Sequence, residues 1–182
     1  MTQPSFTIRR GRPPDAAALA DFGARAFADA FGPDNRPENI AAHLASTFGP
    51  SLQAAELADP DVITVLLESN GRLAAYAQVR RRPGPGCVRG EAPVELQRFY
   101  VDRPWHGKGL AQRLMAEVRE AARELHGRMI WLSVWEKNPR AIAFYAKCGF
   151  RHVGSSYFWV GADRQNDRIM VADIAPGNRP AP

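Results

Sequence analysis

The sequence has few of the residues that mark disulfide-bonded, metal-binding or membrane proteins. Only two of its 182 residues are cysteine, Cys87 and Cys148, and they lie far apart without a partner motif, so no disulfide framework is expected. The four histidines never pair at ligand spacing with a cysteine or a carboxylate motif, and we therefore predict no metal site. No apolar run approaches the roughly 20 residues that cross a bilayer, so no membrane partner is expected.

The composition is otherwise that of a globular protein. Hydrophobic residues make up 45% and charged residues 24% of the chain, which excludes the fibrous and disordered classes, and 182 residues are enough for one full core. We predict a single domain over residues 1–174 and a flexible tail over residues 175–182. The first residues, MTQPSFTIRR, lack the charged-then-apolar order of a signal peptide, so a cytoplasmic location is expected.

Positive charge exceeds negative charge by five, which suits nucleic acid, phosphate or a phosphorylated cofactor as a partner. The stretch RGRP at residues 10–13 matches the core of an AT-hook, which binds the DNA minor groove. The strand-like FTIR before it and the helix start PDAAAL after it favour a strand-to-helix turn instead, and we predict no nucleic-acid partner. Arginines 80–82 lie in a Pro/Gly-rich loop, where solvated charge and contact with phosphates both remain open.

Hydrophobic periodicity alternates between strand and helix values along the chain and predicts an α+β fold, an α/β sandwich with strand–helix–strand units at its centre. The sequence shows no internal repeat. A helix that begins near Leu110 is expected to end at Gly127, since glycine commonly follows the last turn. The other predicted elements are strands at 6–9, 62–68, 73–80, 94–101, 129–134, 157–160 and 168–174, helices at 15–30, 37–48 and 138–148, and a short helical turn at 52–57.

The stretch HGKGLA at residues 106–111 joins the strand that ends in FYV to an amphipathic helix. Such a junction exposes unpaired helix amides at the positive end of the helix dipole, which is an anion site. Gly107 and Gly109 have no Cβ to keep a phosphate away, and they adopt backbone angles closed to other residues. A Walker loop is excluded because no Ser or Thr follows Lys108, and a dinucleotide fingerprint is excluded because Gln112 takes its third glycine position.

The same stretch resembles the loop of the GCN5-related N-acetyltransferases, Q/R-x-x-G-x-G/A. In that family the backbone amides of the loop bind the pyrophosphate of acetyl-CoA. His106 departs from the usual Gln or Arg at the first position, which removes the family's side chain there but keeps the backbone cradle. For this stretch alone, a glycine-bearing turn that opens a surface helix is the alternative.

A second motif follows the first after about thirty residues. WEKNPRAIAFYAKCGF resembles the family pattern in which an Asn opens a helix and A-x-x-F-Y-x-x-x-G-F closes it. Together with ELQRFYVDRPWHGKGLA and SSYFWVGADRQNDRIM, it is similar to the bacterial spermidine/spermine N-acetyltransferase branch, and the likeness covers residues 6–174. The resemblance implies the family fold, a mixed and mostly antiparallel sheet of six to seven strands flanked by about four helices.

The resemblance also implies acetyl-CoA as cosubstrate, with no metal. The strand before the loop is expected to pair with the pantetheine arm like an added strand. Asn138 can equally be an N-cap before Pro139, Lys147 can be a solvated lysine near a helix end, and core packing can explain the strand side chains. The residues assigned to the cofactor are Phe99, Tyr100, Val101, His106, Gly107, Lys108, Gly109, Leu110, Ala111, Asn138 and Lys147.

Two residues are candidates for proton transfer. Tyr145 falls on the family's tyrosine position, and its phenol can protonate the departing CoA thiolate, whereas its ordinary role is that of a half-buried helix aromatic. Glu95 is a carboxylate among apolar residues and can act as a base, directly or through water, on the attacking ammonium. Its alternative is an edge-strand glutamate without a catalytic role.

These features predict an N-acetyltransferase in which a primary amine attacks the thioester of acetyl-CoA directly, within a ternary complex. A polyamine or another small amine is the expected acceptor, and carboxylates near the first inter-helix break, Asp29, Asp34 and Glu38, are its candidate contacts. Amines of proteins or peptides are the alternative acceptor. An acyl-CoA-binding module without activity is the alternative function, and association into a homodimer is left open.

Overall fold

The computed structural model describes residues 6–174, and a seven-stranded sheet forms their centre. The strands lie side by side in the order β1-β2-β3-β4-β5-β7-β6, and neighbours are antiparallel except for β4 and β5, which are parallel. The predicted mixed, mostly antiparallel sheet is therefore confirmed. The strands are β1 (Phe6–Arg10), β2 (Val62–Ser69), β3 (Arg72–Arg81), β4 (Pro93–Val101), β5 (Met129–Trp135), β6 (Arg151–Val160) and β7 (Asp163–Asp173).

Helices cover both faces of the sheet. Leu114 of α4 belongs to the same buried cluster as Leu67 of β2, whereas Leu66 points to the opposite face and clusters with Phe22 of α1. About four helices were predicted, and the additional one within residues 6–174 is α3, where the sequence indicated only a short turn. The helices are α1 (Ala16–Phe31), α2 (Pro37–Thr47), α3 (Pro50–Ala58), α4 (Leu110–Glu124) and α5 (Pro139–Lys147).

The last two strands are longer than predicted, because they form one antiparallel ribbon. Their pairing runs from Arg151 opposite Val171 to Val160 opposite Asp163. Much of this ribbon is polar and exposed, so it lacks the apolar alternation that identifies a half-buried strand. The RGRP stretch is the strand-to-helix turn that was predicted, since Arg10 ends β1 and its side chain pairs with Glu117 of α4.

At the end of α4, the role of Gly127 differs from the predicted one. The left-handed residue after the helix is His126, with φ 59°, and the amide of Gly127 donates to the carbonyl of Ala122 at 2.8 Å, as in a Schellman motif. Glycine is required at 127 by close packing: a Cβ there would lie 2.8 Å from Cγ1 of Val94 and 2.9 Å from the oxygen of Ala122. The helix therefore ends at Glu124, three residues before Gly127, and the left-handed position that was assigned to glycine is taken by His126.

This geometry predicts opposite effects of two substitutions. Gly127→Ala should destabilise the fold by about 1–3 kcal/mol, because the new methyl group overpacks against Val94. His126→Gly should stabilise it by up to about 1 kcal/mol, since glycine adopts a left-handed φ without steric cost. Urea titrations of the two variants measure both effects, and a destabilising His126→Gly would contradict the assignment.

The sheet splits between β4 and β5. Residues 93–95 of β4 pair with residues 129–131 of β5, but no described strand pairs with the β5-facing edge of residues 96–101. A register shift in the β3–β4 pairing leaves Gln97 as an extra residue, and such a β-bulge bends and twists its strand. An opening therefore forms in the middle of the sheet.

Candidate active site

A cleft of about 1330 Å³ lies at this opening. Its walls come from the second half of β4, the start of α4, β5, α5, the end of α1 and the β6–β7 ribbon. Every residue that the sequence singled out as catalytic or cofactor-binding lines it, with the exception of Lys108. Residues far apart in the chain, such as Glu95 and Tyr145, thus share one site.

The glycine loop has the backbone geometry expected of an anion cradle. Gly107 and Gly109 have φ values of 74° and 79°, in the left-handed region that glycine adopts most readily. A Cβ on either residue would meet no described atom within 4 Å, so the space beside both α-carbons is open. Gly109 is the N-cap of α4 without a capping side chain, which leaves the first-turn amides of that helix without intrahelical partners. The loop therefore fits a pyrophosphate bound by backbone amides.

The two basic residues of the loop have contacts of their own. The Nε2 atom of His106 lies 2.8 Å from the carbonyl oxygen of Val101, so this side chain ties the loop back to the end of β4. The ammonium of Lys108 lies 5.1 Å from the ring centre of Trp105, a cation–π distance. Both side chains are thus held by neighbouring residues of the strand end and the loop, and Lys108 does not line the cleft.

Tyr145 lies on α5 in a cluster of aromatic rings. Its ring centre is 6.1 Å from that of Phe99, 5.6 Å from that of Phe144 and 5.7 Å from that of Phe150. Burial raises the pKa of Tyr145 above the usual tyrosine value, and nearby Tyr100 and Cys148 add to the rise. The phenol is therefore a rigidly held proton donor that stays protonated throughout the neutral range, and its ring also fulfils the ordinary packing role.

Among the other residues assigned to the cofactor, one caps a helix, one is exposed and the others pack against helices. The side chain of Asn138 accepts a hydrogen bond from the amide of Ala141 at 3.0 Å, so it is the N-cap of α5, and it also lines the cleft. Lys147 is exposed in the last turn of α5. In β4, Phe99 packs toward α4 and Tyr100 toward α1, while the backbone between them borders the opening. Burial raises the pKa of Tyr100 to about 12.

Glu95 is buried at the closed end of the split. Its Oε2 atom accepts a hydrogen bond from Nε of Arg80 at 2.6 Å and lies 3.5 Å from Nη1 of Arg82. Arg80 and Arg81 lie at the end of β3 and not in the loop that the sequence predicted for arginines 80–82. Arg80 and Arg82 are thus engaged with this carboxylate, and Arg81 pairs with Asp61 at 3.2 Å. Glu95 also lines the cleft.

Two residues that the sequence analysis missed also line the cleft, Asp167 of β7 and Ser133 of β5. The hydroxyl of Ser133 donates to Oδ2 of Asp167 at 2.6 Å, and no described residue donates to Oδ1. Asp167 is only 6% exposed, and burial raises its pKa, with a further rise from Glu136 and an opposing effect from Ser133. The only sequence signal was a carboxylate inside a strand, and its partner lies 34 positions earlier.

Of the predicted acceptor contacts, Asp29 and Asp34 lie on the rim of the cleft. Glu38 is not among the lining residues, and it lies 4.0 Å from Arg36 on the exposed surface of α2. Residues 6–174 contain no cluster of three or more His, Cys, Asp or Glu residues arranged to hold a metal ion. Within the same range, no helix has the length and apolarity needed to cross a bilayer.

Comparison with known proteins identifies the family. Residues 25–150 match the acetyltransferase (GNAT) family. An uncharacterised N-acetyltransferase of Mycobacterium tuberculosis is 35% identical over 161 residues, which cover 88% of this chain and 98% of that protein. A spermine/spermidine N(1)-acetyltransferase of Bacillus subtilis is 30% identical over 82 residues, covering 44% of this chain and 50% of that protein. The crystal structure of the PaiA N-acetyltransferase of Thermoplasma acidophilum with coenzyme A has the same fold, with a TM-score of 0.74 at 16% identity over 93% of this chain and 99% of that one.

The family match covers more than half of the chain. The narrower likeness to the spermidine/spermine branch extends over less than half of the chain. The chain belongs to the acetyltransferase (GNAT) family and is an N-acetyltransferase that uses acetyl-CoA.

Proposed function

We propose that this enzyme acetylates a small primary amine, with a polyamine as the preferred acceptor, by direct attack in a ternary complex. The observation that carries the proposal is the single cleft in which the glycine loop, the unpaired edge of β4, Tyr145 and several carboxylates meet. Holding the two reactants in one site can lower the barrier by up to about 7–11 kcal/mol in favourable cases. No covalent acetyl-enzyme is required.

The cofactor side of the cleft is formed by main-chain groups. On this proposal, the amides at the start of α4 bind the pyrophosphate, and the free edge of residues 96–101 pairs with the pantetheine arm as an additional strand would. Amides of the same edge polarise the thioester carbonyl. Asn138 and Lys147 lie at the two ends of α5 and line the same cleft, and we assign them to further contacts with coenzyme A.

The chemical step needs a proton acceptor and a proton donor. The ammonium of the acceptor loses a proton to Glu95 through water, and its nitrogen then forms a bond to the acetyl carbon. As the carbon–sulfur bond breaks, Tyr145 donates its proton to the thiolate and recovers one from the nitrogen. The products are the amide and free coenzyme A, and one proton passes to solvent from Glu95.

Carboxylates of the cleft are candidate contacts for a cationic acceptor. Asp29, Asp34 and Asp167 line the cleft together with Glu95, which pairs with Arg80 and Arg82, and carboxylates favour a cationic acceptor over a neutral one. The partial likeness to the Bacillus subtilis spermine/spermidine enzyme supports the same class of acceptor. Protein or peptide amines are the alternative within the same chemistry, and the cytoplasmic location and the homodimer stay predictions.

An acceptor screen tests this function. Release of free thiol from acetyl-CoA is measured with spermidine, spermine, amino acids and short peptides, and turnover is expected to be fastest with the polyamines. A preference for peptides would support the alternative acceptor. If the protein binds coenzyme A but acetylates no amine, the enzymatic function is excluded and an acyl-CoA-binding module remains.

Replacing Glu95 tests the proton acceptor. Glu95→Gln should lower kcat/KM for every amine by about 10²-fold at neutral pH, within the range of general base catalysis, and should leave the Kd for coenzyme A unchanged. The loss should shrink as the pH rises toward the pKa of the amine, near 10.4 for a lysine-like nitrogen, because more acceptor then arrives neutral. Glu91→Gln is the matched control, since Glu91 is an exposed carboxylate just before β4. Full activity of Glu95→Gln would reduce Glu95 to an ion-pair partner of Arg80.

A further inference from the structure

Asp167 is a buried carboxylate whose charge is not neutralised by any described side chain. Its one side-chain partner is the hydroxyl of Ser133, on Oδ2, and Oδ1 accepts no hydrogen bond from residues 6–174. Burying a carboxylate with an unsatisfied oxygen costs free energy. Polar groups kept at such a cost are frequently functional, and this one lies in the cleft beside an exposed hydroxyl.

The strand pairing places Asp167 and Glu95 well apart in the sheet. Glu95 pairs with Trp131 of β5, and Trp131 pairs with Val171 of β7. Asp167 therefore lies two strands across the sheet and four residues along it, which is roughly 10 Å and 13 Å at the spacings of a β-sheet. One nitrogen atom cannot contact both carboxylates.

The floor between the two carboxylates is apolar. Trp131 and Ile169 belong to one buried cluster, and both line the cleft. Trp131 is paired with Glu95, and Ile169 is two residues from Asp167 on the same face of β7. The side chains between the two carboxylates are therefore apolar and offer a cation no competing partner.

We infer that Asp167 and Ser133 form a second cation site of the acceptor cleft, which binds the distal ammonium of a diamine or polyamine while its other nitrogen reacts near Glu95. The ammonium donates to the exposed hydroxyl oxygen of Ser133, and that hydroxyl donates in turn to Asp167. The charge of Asp167 stabilises the cation across this short link. The inference rests on the proposed function and assigns one residue pair to the choice of acceptor.

Diamines and monoamines of equal length test the site. Spermidine, 1,8-diaminooctane and octylamine are compared as acceptors of wild-type protein, Asp167→Asn and the control Asp173→Asn, an exposed carboxylate at the far end of β7. Wild-type protein and Asp173→Asn should favour 1,8-diaminooctane over octylamine. Asp167→Asn should lose about 10–100-fold of that preference, the effect of one hydrogen bond to a charged group, mainly through a higher KM for the diamine. The Kd for coenzyme A should not change.

Several outcomes would overturn the inference. A wild-type enzyme without preference for the diamine, or an equal loss with octylamine and 1,8-diaminooctane, would place Asp167 elsewhere in the chemistry, with the proposed function intact. No turnover by wild-type protein with any amine would instead remove the proposed function. Asp167→Asn should be at least as stable as wild type, because an amide replaces a buried, incompletely paired carboxylate. Ser133→Ala, which leaves the carboxylate in place, should show the same loss of preference, and its failure to do so would also contradict the site.

Discussion

Tyr145→Phe lowers kcat by about 10²–10⁴-fold, the range of general acid catalysis, and leaves the Kd for coenzyme A and the free energy of unfolding nearly unchanged. The thiolate of coenzyme A then has to leave without a proton. The ring remains, and with it the contacts to Phe99, Phe144 and Phe150, so the loss is specific to the hydroxyl. Stopped-assay kinetics with saturating acetyl-CoA and the best acceptor of the screen measure the effect.

A matched control separates the missing hydroxyl from a general loss of structure. Tyr76→Phe also removes a phenol, one that is buried outside the cleft lining and has no described hydrogen-bond partner, so it should keep full activity. Burial raises the pKa of Tyr145, so the wild-type kcat should show no decrease from this group until the pH exceeds the usual tyrosine value of about 10. A Tyr145→Phe variant with full kcat across the pH range would rule out the acid role.

The parts of the site that lie close together in the chain were visible in the sequence. The two glycines beside Lys108 and the pattern around Tyr145 are local, because each depends on the turn or helix that holds it. The helix N-cap at Asn138 follows from its own residue type and the proline after it. The structure adds the opening between β4 and β5 that brings these segments to one cleft.

The parts that depend on strand register were not visible. Asp167 and Ser133 meet because β7 inserts between β5 and β6, and neither strand shows this in its own pattern. The partners of Glu95 were equally hidden, since Arg80 reaches it across the β3–β4 pairing. The residue that ends α4 could not be predicted from the local sequence either. His126 and Gly127 are adjacent, and only the packing of residue 127 against Val94 decides which of the two must be glycine.

Gly109→Val should weaken binding of coenzyme A by on the order of 10²–10³-fold. A left-handed φ costs a residue with a side chain about 1–2 kcal/mol, and each hydrogen bond to a charged phosphate that the distorted loop loses costs about 1.5–3 kcal/mol. The β-branched side chain would also occupy the open space beside the α-carbon where the pyrophosphate is proposed to lie. Calorimetric titration with coenzyme A measures the change in Kd.

Gly71→Val is the matched control, because it introduces the same unfavourable backbone conformation outside the binding site. Gly71 has φ 71° in the β2–β3 turn, and a Cβ there also meets no described atom within 4 Å, but the residue lies outside the cleft lining. Both variants should therefore unfold cooperatively and lose about the same 1–2 kcal/mol of stability, while only Gly109→Val loses affinity for coenzyme A. Equal affinities in the two variants would mean that the amides at the start of α4 do not hold the pyrophosphate, and binding of the thioester would then have to depend on the edge of β4 alone.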